Sequence, residues 1–284
     1  DTIPFEALPR SFNPAKGYIV TANNAVVGPD YPYLITKDWA PGYRAYRIDE
    51  MITSEDALSV ADMRAIQADH TPVWAREVLP YVTSLTADEP QLAMAIDLLR
   101  AWDGHATRDS AGAALFEAFR LCLIDATVAD ELGEDLLKEA RPEVMNALLK
   151  LLPDQTSDWF DDMTTPETEM RDDILLRALE EAVADLTALQ GSNIEKWHWG
   201  NLHTASFENQ SLGQSGIRPV ESLFNRGPFP VDGTLATVNQ GDYRLSDPYT
   251  VRTIASYRQI IDLGDLTRSV SMHTTGQSGH PFHR

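Results

Sequence analysis

The side chains best suited to chemistry by type and position begin with a pair of asparagines. Asn23 and Asn24 follow residues 17–22, whose β-branched and aromatic residues predict a strand after the turn at 13–17. An asparagine N–H can donate to the oxyanion that develops when a carbonyl group is attacked. Asparagine is also common in ordinary turns, so its position alone leaves both interpretations open.

Two histidine pairs are candidates for a metal site. His198 and His203 are five residues apart, and His280 and His283 lie near the end of the sequence. Imidazole is a common zinc ligand, but neither spacing is the i, i+4 arrangement of a helix face, and no cysteine lies nearby. Hydrogen-bonded or surface imidazoles are the favoured interpretation.

A glycine–serine motif near residue 278 is a candidate for a nucleophile. The segment 276–279 reads Gly-Gln-Ser-Gly, one residue shorter than the G-x-S-x-G turn that exposes a catalytic serine. That turn leads directly into a helix, whereas His280 and Pro281 follow here. Ser278 is therefore not predicted to be a nucleophile.

Charge and composition exclude several partners. The 284 residues include 43 acidic and 23 basic side chains, which gives a formal net charge of −20. Such a surface repels phosphate backbones and anionic lipids, so we expect neither a nucleic-acid nor a membrane partner. Cys122 is the only cysteine, so an intrachain disulfide is impossible.

Apolar periodicity predicts helices over the middle of the chain, residues 51–190. Ser54 is a candidate N-cap, and Thr71-Pro72 indicates a second helix start. The longest helix is predicted over about 166–190, with Gly191 as its stop. Its predicted buried stripe is Ile174, Leu175, Ala178, Leu179, Ala182, Val183 and Leu186.

The two ends of the chain have a different composition. Residues 1–50 and 191–284 are rich in residues typical of strands and loops. Candidate strands in the second of these zones cover 233–238, 253–262 and 269–274. A helical middle between two strand-bearing ends predicts an α+β fold in which the ends share a sheet.

Several motifs, in their order along the chain, resemble the penicillin amidase (penicillin acylase) family. No single motif is decisive, and the match depends on their order over the whole sequence. They are Asn13-Pro14-x-x-Gly17, Ile19 to Asn24, Asp30-Tyr31-Pro32, Trp39-x-x-Gly42-Tyr43-Arg44-Ala45-x-Arg47-Ile48, Leu99-x-x-Trp102-Asp103-Gly104, Asp109-Ser110-Ala111, Trp197-x-Trp199-Gly200-x-Leu202-His203, Tyr257-Arg258-x-x-x-Asp262 and Gly276 to Gly279.

The resemblance implies an N-terminal-nucleophile hydrolase with a four-layer αββα core. In that family a precursor cuts itself into an α and a β chain, and the new N-terminal serine of the β chain attacks an amide. The serine's own α-amine acts as the base, directly or through water. Because Asp1 heads this sequence, we expect residues 1–284 to be one partial domain from the C-terminal part of a β chain, inactive alone.

The resemblance also assigns site residues and partners. Asn23 matches the family's oxyanion-hole asparagine, and Arg44 matches an arginine that helps to order the site or forms a structural ion pair. The family needs no cofactor for the chemistry but often holds a structural calcium, for which Asp38 is a weak candidate. The implied partners are a small-molecule N-acyl amide, the α chain and the rest of the β chain. Family members are usually periplasmic or secreted.

Two other functions stay open from the sequence. The segment could be a stand-alone helical binding module, since its acidic surface and helical middle suit protein contacts. It could also belong to a degenerate acylase homologue that binds acyl ligands without cleaving them. The acyl group itself, whether aromatic, fatty or dicarboxylic, is not predicted.

Overall fold

The computed structural model describes residues 2–278, 280 and 282. Within these residues the chain forms eight α-helices and six short β-strands. The helices are α1 (Tyr43–Thr53), α2 (Val60–Ala68), α3 (Val73–Thr83), α4 (Pro90–Ala101), α5 (Ala111–Leu151), α6 (Arg171–Gln190), α7 (Trp199–Leu202) and α8 (Arg218–Phe224). The strands are β1 (Thr204–Phe207), β2 (Arg226–Pro230), β3 (Gly241–Asp242), β4 (Thr253–Ile254), β5 (Tyr257–Ile260) and β6 (Val270–His273).

Helix starts in the middle of the chain follow capping chemistry. Ser59 and Asp62 form a reciprocal capping box at α2. The predicted helix at Thr71-Pro72 is present as α3, but it begins at Val73, and Pro72 is its N-cap rather than its first residue. The predicted N-cap at Ser54 is wrong, because Ser54 follows the last turn of α1 and its N–H donates to the carbonyl of Glu50. A helix before residue 54 was not predicted.

Two long helices form most of the hydrophobic core. The predicted stripe of α6 is confirmed, since its seven residues are all buried, and Gly191 ends the helix with φ +89°. Helix α6 begins at Arg171 rather than near 166, and it is not the longest. Helix α5 is longer, with a break at Gly133, whose φ of +65° is not helical.

The strands form three separate antiparallel pairs, β1 with β2, β3 with β4, and β5 with β6. The predicted strand at 269–274 is confirmed, and that at 253–262 is divided between β4 and β5. The predicted strands at 17–22 and 233–238 are wrong. A strand needs a neighbouring strand to share a ladder of hydrogen bonds, and within the described residues neither segment pairs with one.

The two ends therefore do not share a sheet within the described residues, although the chain does mix helices and strands as expected. All six described strands lie between residues 204 and 273. Residues 2–42 are mostly irregular and fold back on themselves through turns. None of the described helices combines the length and the apolar character that crossing a membrane requires.

Candidate active site

A sharp turn presents the side chain of Asn23. Its φ is +64°, a left-handed conformation that asparagine adopts more readily than most residues. The carbonyl of Asn23 accepts a hydrogen bond from the N–H of Ala40 at 2.9 Å. The Ala22 N–H donates to Oδ1 of Asn24 at 3.0 Å, so both sides of the turn are fixed.

Arg44, in the first turn of α1, reaches back to this turn. Its Nη2 donates to Oδ1 of Asn23 at 2.8 Å. A guanidinium group only donates hydrogen bonds, so this contact assigns the amide oxygen of Asn23 to the arginine. Nδ2 of Asn23 donates no hydrogen bond among the described residues, and the side chain is exposed. Its two N–H groups are thus free for a ligand.

The two neighbouring asparagines have different roles in this geometry. Asn24 uses both ends of its amide on nearby backbone, accepting from Ala22 and donating to the carbonyl of Ala25 at 3.0 Å. Asn23 uses only its oxygen. The sequence does not separate the two, whereas the hydrogen bonds leave Asn23 as the available donor.

Asp242 and Arg44 affect each other's pKa without forming an ion pair. Arg44 forms no ion pair with a described carboxylate, and its partial burial lowers its pKa, an effect that Asp242 opposes. Burial raises the pKa of Asp242, which a backbone hydrogen bond from Tyr243 and the charge of Arg44 oppose. The structural ion pair considered for Arg44 is therefore replaced by a hydrogen bond to Asn23 and a longer-range attraction.

A cavity of about 500 Å³ opens beside Arg44. It lies between the start of α1 and the segment 235–246, with Arg44, Asp242 and Arg244 as its charged groups. Its apolar wall consists mainly of Trp39, Tyr43, Met145, Leu235 and Leu245. A cavity of this size with a few polar groups suits a small organic molecule.

A buried network fixes the position of Asp242. The next residue, Tyr243, donates from its hydroxyl to Glu117 of α5 at 2.6 Å, and Arg120 donates to both Glu117 and Tyr243. The side chains of Glu117 and Arg120 are each 3% exposed. A buried ion pair with its hydrogen bonds satisfied holds its members in one geometry. Sequence reasoning missed Asp242 and this network, because neither falls in a recognisable spacing.

The other sequence candidates are not brought together. Nδ1 of His198 contacts the carbonyl of Asp109 at 3.1 Å, while Nδ1 of His203 contacts that of Tyr249 at 2.7 Å. Ser278 is exposed and accepts from the backbone N–H of His280. His283 lies outside the described residues.

Asp38 was the weak candidate for a calcium ligand. It is exposed, and its backbone N–H donates to the hydroxyl of Thr36. The described residues contain no group of three or more histidine, cysteine, aspartate or glutamate side chains that could hold a metal ion.

The fold is shared with a solved hydrolase. The thermostable penicillin G acylase from Alcaligenes faecalis matches with a TM-score of 0.50 at 20% sequence identity, over 69% of this chain and 40% of that one. This likeness shows the fold, which is that of the N-terminal-nucleophile hydrolases.

Sequence comparison gives the family. The sequence model of the penicillin amidase family matches residues 1–284. The acyl-homoserine lactone acylase QuiP of Pseudomonas aeruginosa is 28% identical, over 96% of this chain and 36% of that relative. The penicillin acylase 2 proenzyme of Pseudomonas sp. strain SE83 is 31% identical, over 98% of this chain and 35% of that relative. The chain belongs to the penicillin amidase family and spans about a third of the length of these curated relatives.

Proposed function

We propose that this chain is part of an enzyme that hydrolyses N-acyl amides, and that Asn23 supplies a donor of its oxyanion hole. The observation that carries this proposal is the amide of Asn23, whose oxygen is held by Arg44 while Nδ2 stays available. Membership of the family and relatives named as acylases support the reaction class. Arg44 acts as a positioning residue, because it orients the asparagine.

The proposed reaction uses a serine on polypeptide that precedes this chain. The serine oxygen attacks the amide carbonyl while its proton passes to the α-amine of the same residue. The negative charge that develops on the carbonyl oxygen accepts a hydrogen bond from Nδ2 of Asn23. The α-ammonium group then returns the proton to the amide nitrogen of the substrate, the C–N bond breaks and the amine product leaves, and water hydrolyses the acyl-serine to release a carboxylic acid.

The proposed substrates are penicillin-like or other N-acyl amides. The two relatives above are named for acyl-homoserine lactones and for penicillin. The cavity of about 500 Å³ beside Arg44 would accept an apolar part of such a substrate, because aromatic and aliphatic side chains form most of its wall.

The proposed partners are an α chain and the rest of a β chain from the same precursor. Residues 2–50 contain one buried residue, Ala22, while Phe5 and Phe12 are 76% and 91% exposed. Exposed aromatic groups at this density favour a covering surface supplied by further polypeptide. A structural calcium stays a prediction from the family resemblance.

The test is an intact mass measurement, with N-terminal sequencing, on the product of the complete gene. Two chains, the second beginning with serine, would support self-processing and an active amidase. A single uncut chain would favour the degenerate homologue that binds without cleaving. The chain 1–284 alone is expected to give no amide turnover, and measurable turnover by it would contradict the assignment of the nucleophile.

A further inference from the structure

A second cavity lies between α2 and the β5–β6 hairpin. It measures about 450 Å³, and none of its lining residues lines the cavity beside Arg44. Arg64 of α2 and Arg258 of β5 supply its charge, and Ile260, Val270 and Met272 give it an apolar wall. The cavity therefore combines two cations with hydrocarbon surface.

The charge of this cavity is unusual for so acidic a chain. No aspartate or glutamate is among its described lining residues, although acidic residues outnumber basic ones 43 to 23 overall. Neither arginine forms an ion pair with a described carboxylate. The cavity thus has no described carboxylate to pair with the two arginines that line it.

Of the two arginines that line this cavity, Arg258 is the better placed to bind an anion. It is half-buried, and its Nη2 donates to Oδ1 of Asn239 at 2.6 Å. Burial lowers its pKa, and no neighbouring carboxylate opposes that shift. A partly desolvated guanidinium held in one orientation can offer its remaining N–H donors to a planar anion at little entropic cost.

We propose that this cavity binds an amphipathic monocarboxylate, a single carboxylate on a hydrocarbon chain. The carboxylate pairs with Arg258 and Arg64, and the chain lies against Ile260, Val270 and Met272. A polyanion such as a nucleotide fits less well, because it would leave the apolar wall uncovered and exceed the two available charges. Hydrolysis of an N-acyl amide releases a compound of this class, but the binding site is argued from the cavity alone and goes beyond that reaction.

The probe is octanoate, titrated calorimetrically into the purified chain, with octanamide and acetate as matched ligands. Octanamide keeps the tail without the charge, and acetate keeps the charge without the tail, so both are expected to bind at least about tenfold more weakly. Arg258→Gln keeps an amide that can bond Asn239 and is expected to weaken octanoate binding about tenfold. Arg64→Gln should have a smaller effect because Arg64 is exposed.

The control variant is Arg218→Gln, which removes one exposed positive charge outside the cavity and should leave octanoate binding unchanged. Thermal unfolding of each variant separates lost binding from lost folding, and Arg258→Lys provides a second variant if Arg258→Gln does not fold. Equal binding of octanoate and octanamide, or equal weakening by Arg218→Gln, would overturn the proposal.

The carboxylate could also come from an acidic side chain of further polypeptide. The complete gene product distinguishes this source from a free ligand. Octanoate binding by that product, weakened by Arg258→Gln, would support the proposal. Binding by the chain 1–284 but not by the complete product would overturn it in favour of an internal carboxylate. Neither result depends on amide turnover, so the site and the proposed reaction can fail separately.

Discussion

The helical middle of the chain and the first fifty residues differ sharply in how they bury their apolar side chains. Phe116 and Leu148 are 1% and 0% exposed in the core that α3 to α6 build, whereas Phe12 is 91% exposed. The middle thus supplies its own stabilisation. The first zone carries Asn23 but is held by turns, by the packing of α1 and by the Arg44 contact. Stability and the proposed chemistry therefore reside in different parts of the molecule.

The largest expected effect is on the free energy of unfolding, and it compares a buried phenylalanine of the helical middle with an exposed one of the first fifty residues. Phe116→Ala removes a buried ring from the core and is expected to lower the free energy of unfolding by about 3–5 kcal/mol. Phe12→Ala removes the same ring from an exposed position and should change it by about 0.5 kcal/mol or less. Urea unfolding of both variants measures the difference. Equal losses would mean that the first zone is as well packed as the middle.

The second largest expected effect is on catalysis, and it concerns Asn23 in the first fifty residues. In the complete, self-processed gene product, Asn23→Ala is expected to lower kcat by about 10²–10³ because an oxyanion donor is lost. Its free energy of unfolding should fall by only about 1–2 kcal/mol, because the side chain is exposed but alanine tolerates the left-handed φ of +64° less well than asparagine. Amide turnover and urea unfolding of the same preparations make the comparison.

Asn23→Asp is the matched variant for that prediction. Its carboxylate can still accept the hydrogen bond from Arg44, but it lacks the N–H donors and places negative charge where the oxyanion forms. It should be at least as inactive as Asn23→Ala. If Asn23→Asp kept normal turnover, Asn23 would not be a donor of the oxyanion hole.

A third and smaller effect concerns Arg44. Arg44→Gln removes the charge and leaves Asn23 free to rotate, so kcat is expected to fall about tenfold while KM changes less. Arg44→Lys, which keeps a cation but not the guanidinium fork, should recover part of that loss. A loss confined to KM would indicate instead that Arg44 binds substrate directly.

How much of this the sequence could predict also differs between the two regions. The buried stripe of α6 and its stop at Gly191 were predictable, because helix periodicity and C-terminal glycines are local signals. The strand at 17–22 was predicted wrongly, because strand propensity says nothing about whether a neighbouring strand is present.

The candidate site was predictable only through resemblance. Asn23 and Asn24 are equivalent by residue type and position, and only the hydrogen bonds with Arg44 and Ala22 separate them. Asp242 lies more than two hundred positions along the chain from Asn23 and shares no spacing with it. The cavity beside Arg44 depends on tertiary packing, which local sequence patterns do not encode.

A fourth prediction uses a titrating group outside both regions. His203 is buried and stacked on Trp199, with ring centroids 4.4 Å apart, and burial lowers its pKa. The unfolded histidine titrates near about 6.5, so the unfolded state binds more protons below that pH. His203 should therefore favour folding fully above about pH 6.5 and less as the pH falls. Urea unfolding at several pH values measures how steeply the free energy of unfolding changes with pH. This dependence should be weaker in His203→Asn.

The smallest expected effect concerns Glu131 in the helical middle, where stability changes with pH in the direction opposite to that expected for His203. Burial and a hydrogen bond with Asp130 raise the pKa of Glu131 to about 7. The unfolded carboxyl titrates near about 4.3, so between these values the folded state binds more protons. The stabilisation from protonated Glu131 is thus fully present below about pH 4.3 and lost as the pH rises through 7.

Glu131→Gln keeps a neutral side chain at every pH and should remove this contribution. Its free energy of unfolding, relative to the unaltered chain, is expected to rise between about pH 5 and 8, whereas that of His203→Asn should fall over the lower part of that range. Because Glu131 is largely exposed, its effect should be the weaker of the two. If the relative free energies of unfolding of both variants changed with pH in the same direction, Glu131 and His203 would not have the opposite effects on stability that are predicted here.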